Sequence, residues 1–380
     1  MNLLSLRRTL AMARKETLHI VRDGRSLGMA VAIPMLMLLL FGYALTLDVD
    51  RVPMIVWDQD QTQVSRDYLS RFTGSRYFSL RAGASNYARI ERAIDSGEAL
   101  VALVIPAKFA TGIATGRQVP VQMIVDGSDS TTATIAIGYA EAVTRGFSRE
   151  VVLDRVRRVG GPTIREPLEV RPRVWFNEDM SSRNYIVPGL IAVIMMVIAA
   201  LLTSLTVARE WERGTMEQLI STPVKGWELI AGKLLPYFAI GMLDVAIAMV
   251  MGEALFQVPL RGTAALVFAM AAVFLAGALS MGILISIVTK NQLVANQFAV
   301  VTTFVPSFLL SGFMYAIANM PHAIQVITYV IPARYFVALL KGIYLKGVGL
   351  EVLGLEAGLL TAFGIVMVLV ANFKFKKKLT

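Results

Sequence analysis

The chain has no cysteine among its 380 residues, so it forms no disulfide and carries no thiolate for catalysis or metal binding. Its two histidines, His19 and His322, lie far apart in sequence, which argues against a zinc site or a Ser-His-Asp triad. Neither an H-E-x-x-H nor a G-x-S-x-G motif occurs. The run Gly226-Trp-Glu-Leu-Ile-Ala-Gly-Lys233 is one residue too long for a phosphate-binding loop. Leu234 stands where such a loop needs the Ser or Thr that holds magnesium, and the lysine leads straight into a hydrophobic span; nucleotide binding by this chain is excluded. Asp126-Gly-Ser-Asp-Ser130 offers oxygen ligands but lacks the length and terminal glutamate of a calcium loop, and reads as a turn that ends a strand and caps the next helix. No internal repeat, low-complexity tract or glycine-serine linker is present.

Charge is also scarce. Asp, Glu, Lys and Arg make up 17% of the chain, where soluble domains carry roughly a quarter. Hydrophobic residues make up 56% and the mean hydropathy is +0.61, so this is an integral membrane protein. The net charge of +10 raises the question of nucleic acid. Its distribution answers against it: residues 1–26 hold six basic residues against two acids, and Lys374, Lys376, Lys377 and Lys378 crowd the tail, while 48–184 is nearly balanced. Basic residues flanking apolar spans are the positive-inside pattern.

Six apolar runs are long enough to cross a bilayer: 27–47, 186–208, 234–254, 263–289, 293–318 and 357–373. An even count puts both termini on one side, and their basic flanks make that side cytoplasmic. The first run starts late, is long and lacks a small-residue cleavage site, so it is read as a span and not as a signal peptide. Residues 319–356 are apolar but carry Pro332, Arg334 and Lys341; a helix pair that dips into the outer leaflet and returns fits better than a seventh span. Residues 2–22 read as an amphipathic helix in the headgroup layer, within a cytoplasmic segment 1–26. Leu3, Leu6, Leu10 and Val21 lie on one side, with Arg7, Arg8, Arg14, Lys15 and Arg22 on the other, facing anionic lipid. The basic tail 374–380 is cytoplasmic as well.

The polar insert 48–184 is large enough to fold by itself. Strand-like runs at 52–57, 77–80, 100–105, 119–125 and 168–176 alternate with helical patterns at 64–72, 86–96 and 131–159, which predicts an α/β domain with a mixed sheet. It lies outside the cytoplasm, because the first span leads into it and the second returns from it.

The most informative stretch is Glu210-Trp-Glu-Arg-Gly-Thr-Met-Glu-Gln-Leu-Ile-Ser-Thr-Pro223, inside the loop 209–233. Thr215 and Gln218 have capping-box spacing, Met216, Leu219 and Ile220 share one helical face, and Pro223 ends the helix. An ordinary interfacial loop needs no such order. Within the third span Asp244 is an intramembrane acid: it either pairs with Arg334 or a neighbouring helix or subunit, or lies on a transport path.

These features resemble the permease subunits of type-2 ABC transporters (the ABC-2 family), and more narrowly bacterial efflux permeases with a large periplasmic domain. The stretches that carry the likeness are Arg22-Asp-Gly-Arg-Ser-Leu27, Phe41-Gly-Tyr-Ala44, Val56-Trp-Asp-Gln-Asp60, Val125-Asp-Gly-Ser-Asp129, Arg183-Asn-Tyr-Ile-Val-Pro-Gly189, Arg209-Glu-Trp-Glu-Arg-Gly-Thr-Met-Glu217, Gly232-Lys233 and Ile331-Pro-Ala-Arg-Tyr-Phe336. The resemblance implies a polytopic α-helical membrane protein in the bacterial inner membrane, with six transmembrane helices, an interfacial N-terminal helix and an α/β periplasmic insert. It implies a non-enzymatic subunit that dimerises, as a homodimer or heterodimer, and exports a hydrophobic or amphipathic substrate. ATP and magnesium are then held by a separate ATPase, and no cofactor by this chain. Glu210, Glu212, Arg213, Thr215, Met216 and Glu217 make or brace the contact with that ATPase, and Gly214 allows the bend into the coupling helix. A periplasmic adaptor and an outer-membrane channel are further implied partners. Two other readings stand beside it: a proton-coupled secondary transporter using Asp244, and a non-transporting scaffold or receptor with a ligand-binding outer domain. The first lacks the repeat symmetry usual for its class; the second gives no reason for an ordered helix at 210–222.

Overall fold

The computed structural model describes residues 3–45, 51–158, 173–178 and 181–375. The chain divides into two compact units, Leu47–Arg173 and the combination of Met1–Thr46 with Val174–Thr380.

In the smaller unit, strands β1 (Val52–Asp58), β2 (Phe78–Gly83), β3 (Val101–Ile105) and β4 (Gln122–Val125) form a mixed sheet in the order β2-β1-β3-β4. β1 runs parallel to β2 and β3, and β4 is antiparallel to β3. The two-residue period of a strand splits β1 between two cores. Met54 and Val56 join Phe72 of α3 (Gln63–Thr73) and Ala136 of α6 (Ser130–Arg158) on one face; Ile55 joins Ile90 and Ala93 of α4 (Tyr87–Asp95) on the other. Asp129 caps α6 by accepting the Thr131 backbone N–H at 3.0 Å. A short helix, α5 (Phe109–Thr115), has no signal in its own sequence, because its cap is remote: Asp60 accepts the Ala110 N–H at 3.0 Å, and Lys108 enters the helix at φ +64°. Of the expected strand at 168–176, residues 168–172 lie outside the described residues and 173–176 are irregular. Val159, expected to end the long helix, also lies outside them.

The larger unit is helical. Its helices are α1 (Leu3–Arg22), α2 (Gly24–Ala44), α7 (Ser182–Glu212), α8 (Thr215–Ser221), α9 (Gly226–Ala254), α10 (Ala264–Thr289), α11 (Gln292–Leu310), α12 (His322–Thr328), α13 (Pro332–Lys341) and α14 (Leu350–Lys374). Among the described residues α7, α9, α10, α11 and α14 are long and apolar enough to cross a membrane, and α2 is apolar over Ala30–Ala44. α7 is apolar all round and correspondingly buried, the axis against which α2, α9, α10, α11 and α13 pack. Close approach comes from small residues: a Cβ on Gly277 of α10 would meet Gly364 of α14 at 3.0 Å. α12 and α13, with the π turn Gly342–Lys346 that extends α13, are bent by 86° across the break before Pro332.

Several boundaries differ from the hydropathy runs, and the differences have a cause. α7 continues past Ala208 to Glu212, and α9 begins at Gly226, not Leu234. A hydropathy run stops at the first charge, but the helices carry Glu210, Glu228 and Lys233 because partners neutralise them. α11 stops at Leu310, well before Ala318, where Gly312 takes φ +78°. Residues 174–178 and 181–184 group with the helical unit: Asn177 donates to the Ser181 carbonyl at 2.9 Å and accepts from Asn184 at 2.8 Å. α1 docks on α9 through Thr9, Met12, Glu16 and Ile20, while the expected apolar face, represented by Leu6, Leu10 and Val21, is exposed.

Residues 47–173 expressed alone are expected to give an α/β circular dichroism spectrum; a disordered spectrum overturns the assignment. Phe72→Ala there should cost about 3–5 kcal/mol, read from chemical denaturation. Burial works against the Asp60 carboxylate, but the Thr62 hydroxyl and the N–H groups of Lys108, Phe109 and Ala110 outweigh it and hold it below the usual range. The Thr132 hydroxyl does the same for Asp129. A depressed native value stabilises the fold above the unfolded value of about 3.9 and is lost as pH falls through the native one. With no histidine in the segment, the melting temperature should be flat from pH 5 to 8 and fall below about pH 4.

Candidate functional site

The ordered segment sits where α7 ends, α8 turns and α9 begins. α7 stops because Gly214 adopts φ +68°, a left-handed conformation that strains any residue with a Cβ. The chain then re-enters a helix at once, so Gly214 occupies the N-cap position and Thr215 falls inside the first turn. The capping box expected between Thr215 and Gln218 is therefore not formed; the Thr215 hydroxyl reaches back to the Glu210 carbonyl at 3.4 Å. Glu228 instead accepts the Lys225 backbone N–H at 2.9 Å and starts α9. α8 ends at Ser221, where Thr222 is extended ahead of Pro223.

α8 has two faces. Met216 is buried and Leu219 half-buried in a cluster with Trp211, Leu229, Ile230, Ile283 and Met12. Glu217 and Gln218 are exposed, continuous with exposed Glu212, Arg213 and Gly214. The side chain of Ile220, expected on the apolar face, lies outside the described residues. The seven residues singled out in sequence thus separate. Met216 and Glu210 are internal braces, Thr215 is half-buried, and Arg213 and Glu217 present free side chains. Glu212 accepts both the backbone N–H of Gln292, at 2.8 Å, and its side-chain amide, which ties the turn to the start of α11.

Behind that surface lies a charge cluster. Lys233 of α9 is 1% exposed; its Nζ lies 3.1 Å from Glu210 of α7 and 3.4 Å from Glu16 of α1. Lys15 reaches Glu210 at 3.2 Å, and the Tyr237 hydroxyl donates to Glu16 at 3.2 Å. Arg8 donates to the Pro223 carbonyl at 3.0 Å. Arg209 donates to Gln292 at 3.4 Å and meets His19 Nε2 at 3.3 Å. The helices approach closely at this point: a Cβ on Gly232 would come within 2.9 Å of the Thr9 carbonyl. Sequence reading missed Glu16, Tyr237 and Gln292 and weighed Lys233 only as part of a motif. Two signals pointed to them: Glu16 is the sole acid of α1, and Lys233 interrupts a long apolar run.

Asp244 and Arg334 are not brought together. Arg334 lies just past the α12–α13 bend and folds back over it, stacking on Tyr329 at 3.8 Å and donating to the Gln325 carbonyl at 3.4 Å and to the Thr328 hydroxyl. Asp244 is fully buried in α9, and neither carboxylate oxygen has a hydrogen-bond partner among the described residues. No group of three or more His, Asp or Glu among the described residues is placed to hold a metal. Removing one member of a buried ion pair strands its partner, at about 3–5 kcal/mol, whereas an exposed pair contributes about 0–1. Lys233→Met should therefore lower the melting temperature of the purified protein far more than Lys15→Met, whose side chain is 51% exposed.

Residues 25–373 match the family model described as ABC-2 family transporter protein. Over 378 residues, 99% of each chain, the sequence is 37% identical to the "Probable multidrug ABC transporter permease YbhS" of Escherichia coli (strain K12). It is 29% identical over 344 residues, 90% of each chain, to the "Probable multidrug ABC transporter permease YbhR" of the same organism. It is 26% identical over 331 residues, 86% of this chain and 85% of the other, to its "Inner membrane transport permease YhhJ". Matched almost from end to end, the chain belongs to the ABC-2 family of transporter proteins.

Proposed function

We propose that this chain is the permease subunit of an ATP-binding-cassette exporter, paired with a second permease and driven by a separate ATPase that holds ATP and magnesium. The observation that carries the reading is α8: a short helix whose exposed face, with Arg213, Glu217 and Gln218, is tied through buried Met216 and the Lys233 cluster to α1, α7 and α9. A push on that face reaches the long helices directly, as coupling to an external motor requires. Energy conversion at this surface needs no nucleotide site in the chain itself.

α2, α7, α9, α10, α11 and α14 are the six crossings, and the bent pair α12–α13 enters the membrane and returns on the same side. Both basic termini then face the cytoplasm of the inner membrane, as do α8 and the turn at Lys290. The unit Leu47–Arg173 faces the periplasm, where it offers a dock for an adaptor leading to an outer-membrane channel. α1 rests in the headgroup layer, with exposed Leu6, Leu10 and Val21 towards the acyl chains and Arg7, Arg14 and Arg22 beside anionic lipid. The cargo is a hydrophobic or amphipathic molecule, a reading supported by the multidrug naming of the permeases YbhS and YbhR.

Arg213→Glu combined with Glu217→Arg should reduce recovery of the ATPase in co-purification at least tenfold, with the melting temperature of the permease unchanged; unchanged recovery removes the docking role. These exposed positions are the correct probes, because Met216→Asp would bury a carboxylate and disrupt α8 itself. The absence of cysteine makes topology directly readable. In intact spheroplasts a membrane-impermeant maleimide should label Glu91→Cys and not Gln218→Cys; the reverse pattern inverts the topology.

A further inference from the structure

A cavity of about 440 Å³ lies at the α12–α13 bend, closed by the N-terminal ends of α7 and α14 and the turn after α11. Two cations line it, Arg334 and Lys341, both half-buried, and one acid, Glu356. Neither cation has a carboxylate within ion-pair distance among the described residues. What holds them is neutral: Lys341 donates to the Gly312 carbonyl at 2.8 Å and sits 3.3 Å from the Tyr185 ring centroid, and Arg334 stacks on Tyr329 at 3.8 Å. Aromatic faces and carbonyl oxygens orient a cation without neutralising it. Lys341 spends one of its three N–H donors on Gly312, and the hydrogen bonds of Arg334 all use Nη1, so Nε and Nη2 have no partner among the described residues. The remaining wall is apolar, with Val337, Leu355 and Leu359. With Lys341 protonated, the lining carries one unbalanced positive charge beside a hydrocarbon surface.

We propose that this cavity binds a monoanionic amphiphile, its carboxylate or phosphate held between Arg334 and Lys341 and its chain against α13 and α14. Guanidinium and ammonium donors match an oxyanion, and burial strengthens the charge-assisted bonds. Glu356 limits the site to a single negative charge. The source of such a molecule is either the lipid bilayer or the exported cargo; only the second rests on the exporter reading above.

The test uses the full chain purified in dodecyl maltoside at pH 7, without any ATPase, so that its failure is separate from failure of ATPase docking. The probe is cis-parinarate, a fluorescent fatty carboxylate, with its methyl ester as the uncharged control and protein-free micelles as the blank. The acid should bind at least tenfold tighter than the ester. Arg334→Gln should weaken the acid at least tenfold and leave the ester unchanged. Because Arg334 also braces the bend, the decisive variant is Glu356→Gln, whose carboxylate has no hydrogen bond or ion pair among the described residues; it should tighten the acid about threefold or more. Equal binding of acid and ester, or an unchanged affinity in Glu356→Gln, overturns the proposal. Displacement of the probe by phosphatidylglycerol assigns the site to lipid. Displacement by glycocholate but not by phosphatidylglycerol assigns it to cargo, and displacement by neither overturns the proposal.

Discussion

An ammonium group as deeply buried as Lys233 either finds opposite charge within a few ångströms or gives up its proton, because an isolated ion there is too costly to keep. At Lys233 that requirement organises one end of the helical unit. Its two carboxylates come from different helices, Glu16 from α1 and Glu210 from α7, so satisfying a single side chain joins three segments. Lys15 and the Tyr237 hydroxyl complete the cluster at Glu210 and Glu16. Gly232, with no Cβ, lets the α1 backbone come close enough for these bonds to form.

The geometry of α8 follows from this cluster. α8 is too short to hold itself as a helix in isolation, since nucleation is costly and seven residues add few hydrogen bonds. It persists because Met216 is inserted among side chains from α1, α7, α9 and α10, and because the turn before it is anchored by the Glu212–Gln292 bonds. The exposed face is consequently backed by packed side chains. Through that anchoring the exposed face is joined to α7, the helix at the centre of the bundle.

At the other end of α7 the arrangement is of a different kind. Tyr185 and Lys341 both donate to the Gly312 carbonyl, at 3.1 and 2.8 Å, so α7, α13 and the turn after α11 meet at one oxygen atom. Gly189 leaves room for Phe313 in the same corner, where a Cβ would approach its ring to 2.7 Å. This junction holds its cations with neutral groups and leaves their charge open, whereas the Lys233 cluster closes its charge internally. The contrast separates a structural brace from a surface equipped to receive an anion.

Much of this was legible in the linear chain. Long apolar runs, the alternation of strands and helices in the insert, the broken segment before the last span and the ordered stretch around Gly214 each rest on local pattern: hydropathy, two-residue or 3.6-residue period, and backbone restriction at glycine and proline. What only the tertiary structure decided was every feature that depends on a distant partner. Helix ends moved outward because Glu210 and Lys233 neutralise each other, and α5 exists because Asp60 caps it from far along the chain. Met216 is buried because α1 and α10 cover it, and Asp244 and Arg334 stay apart because the bend before Pro332 directs the guanidinium onto α12. Local pattern determines what a segment prefers; whether a charge is an obstacle, a cap or a clasp depends on which group the fold sets beside it, and that is a property of three-dimensional contact.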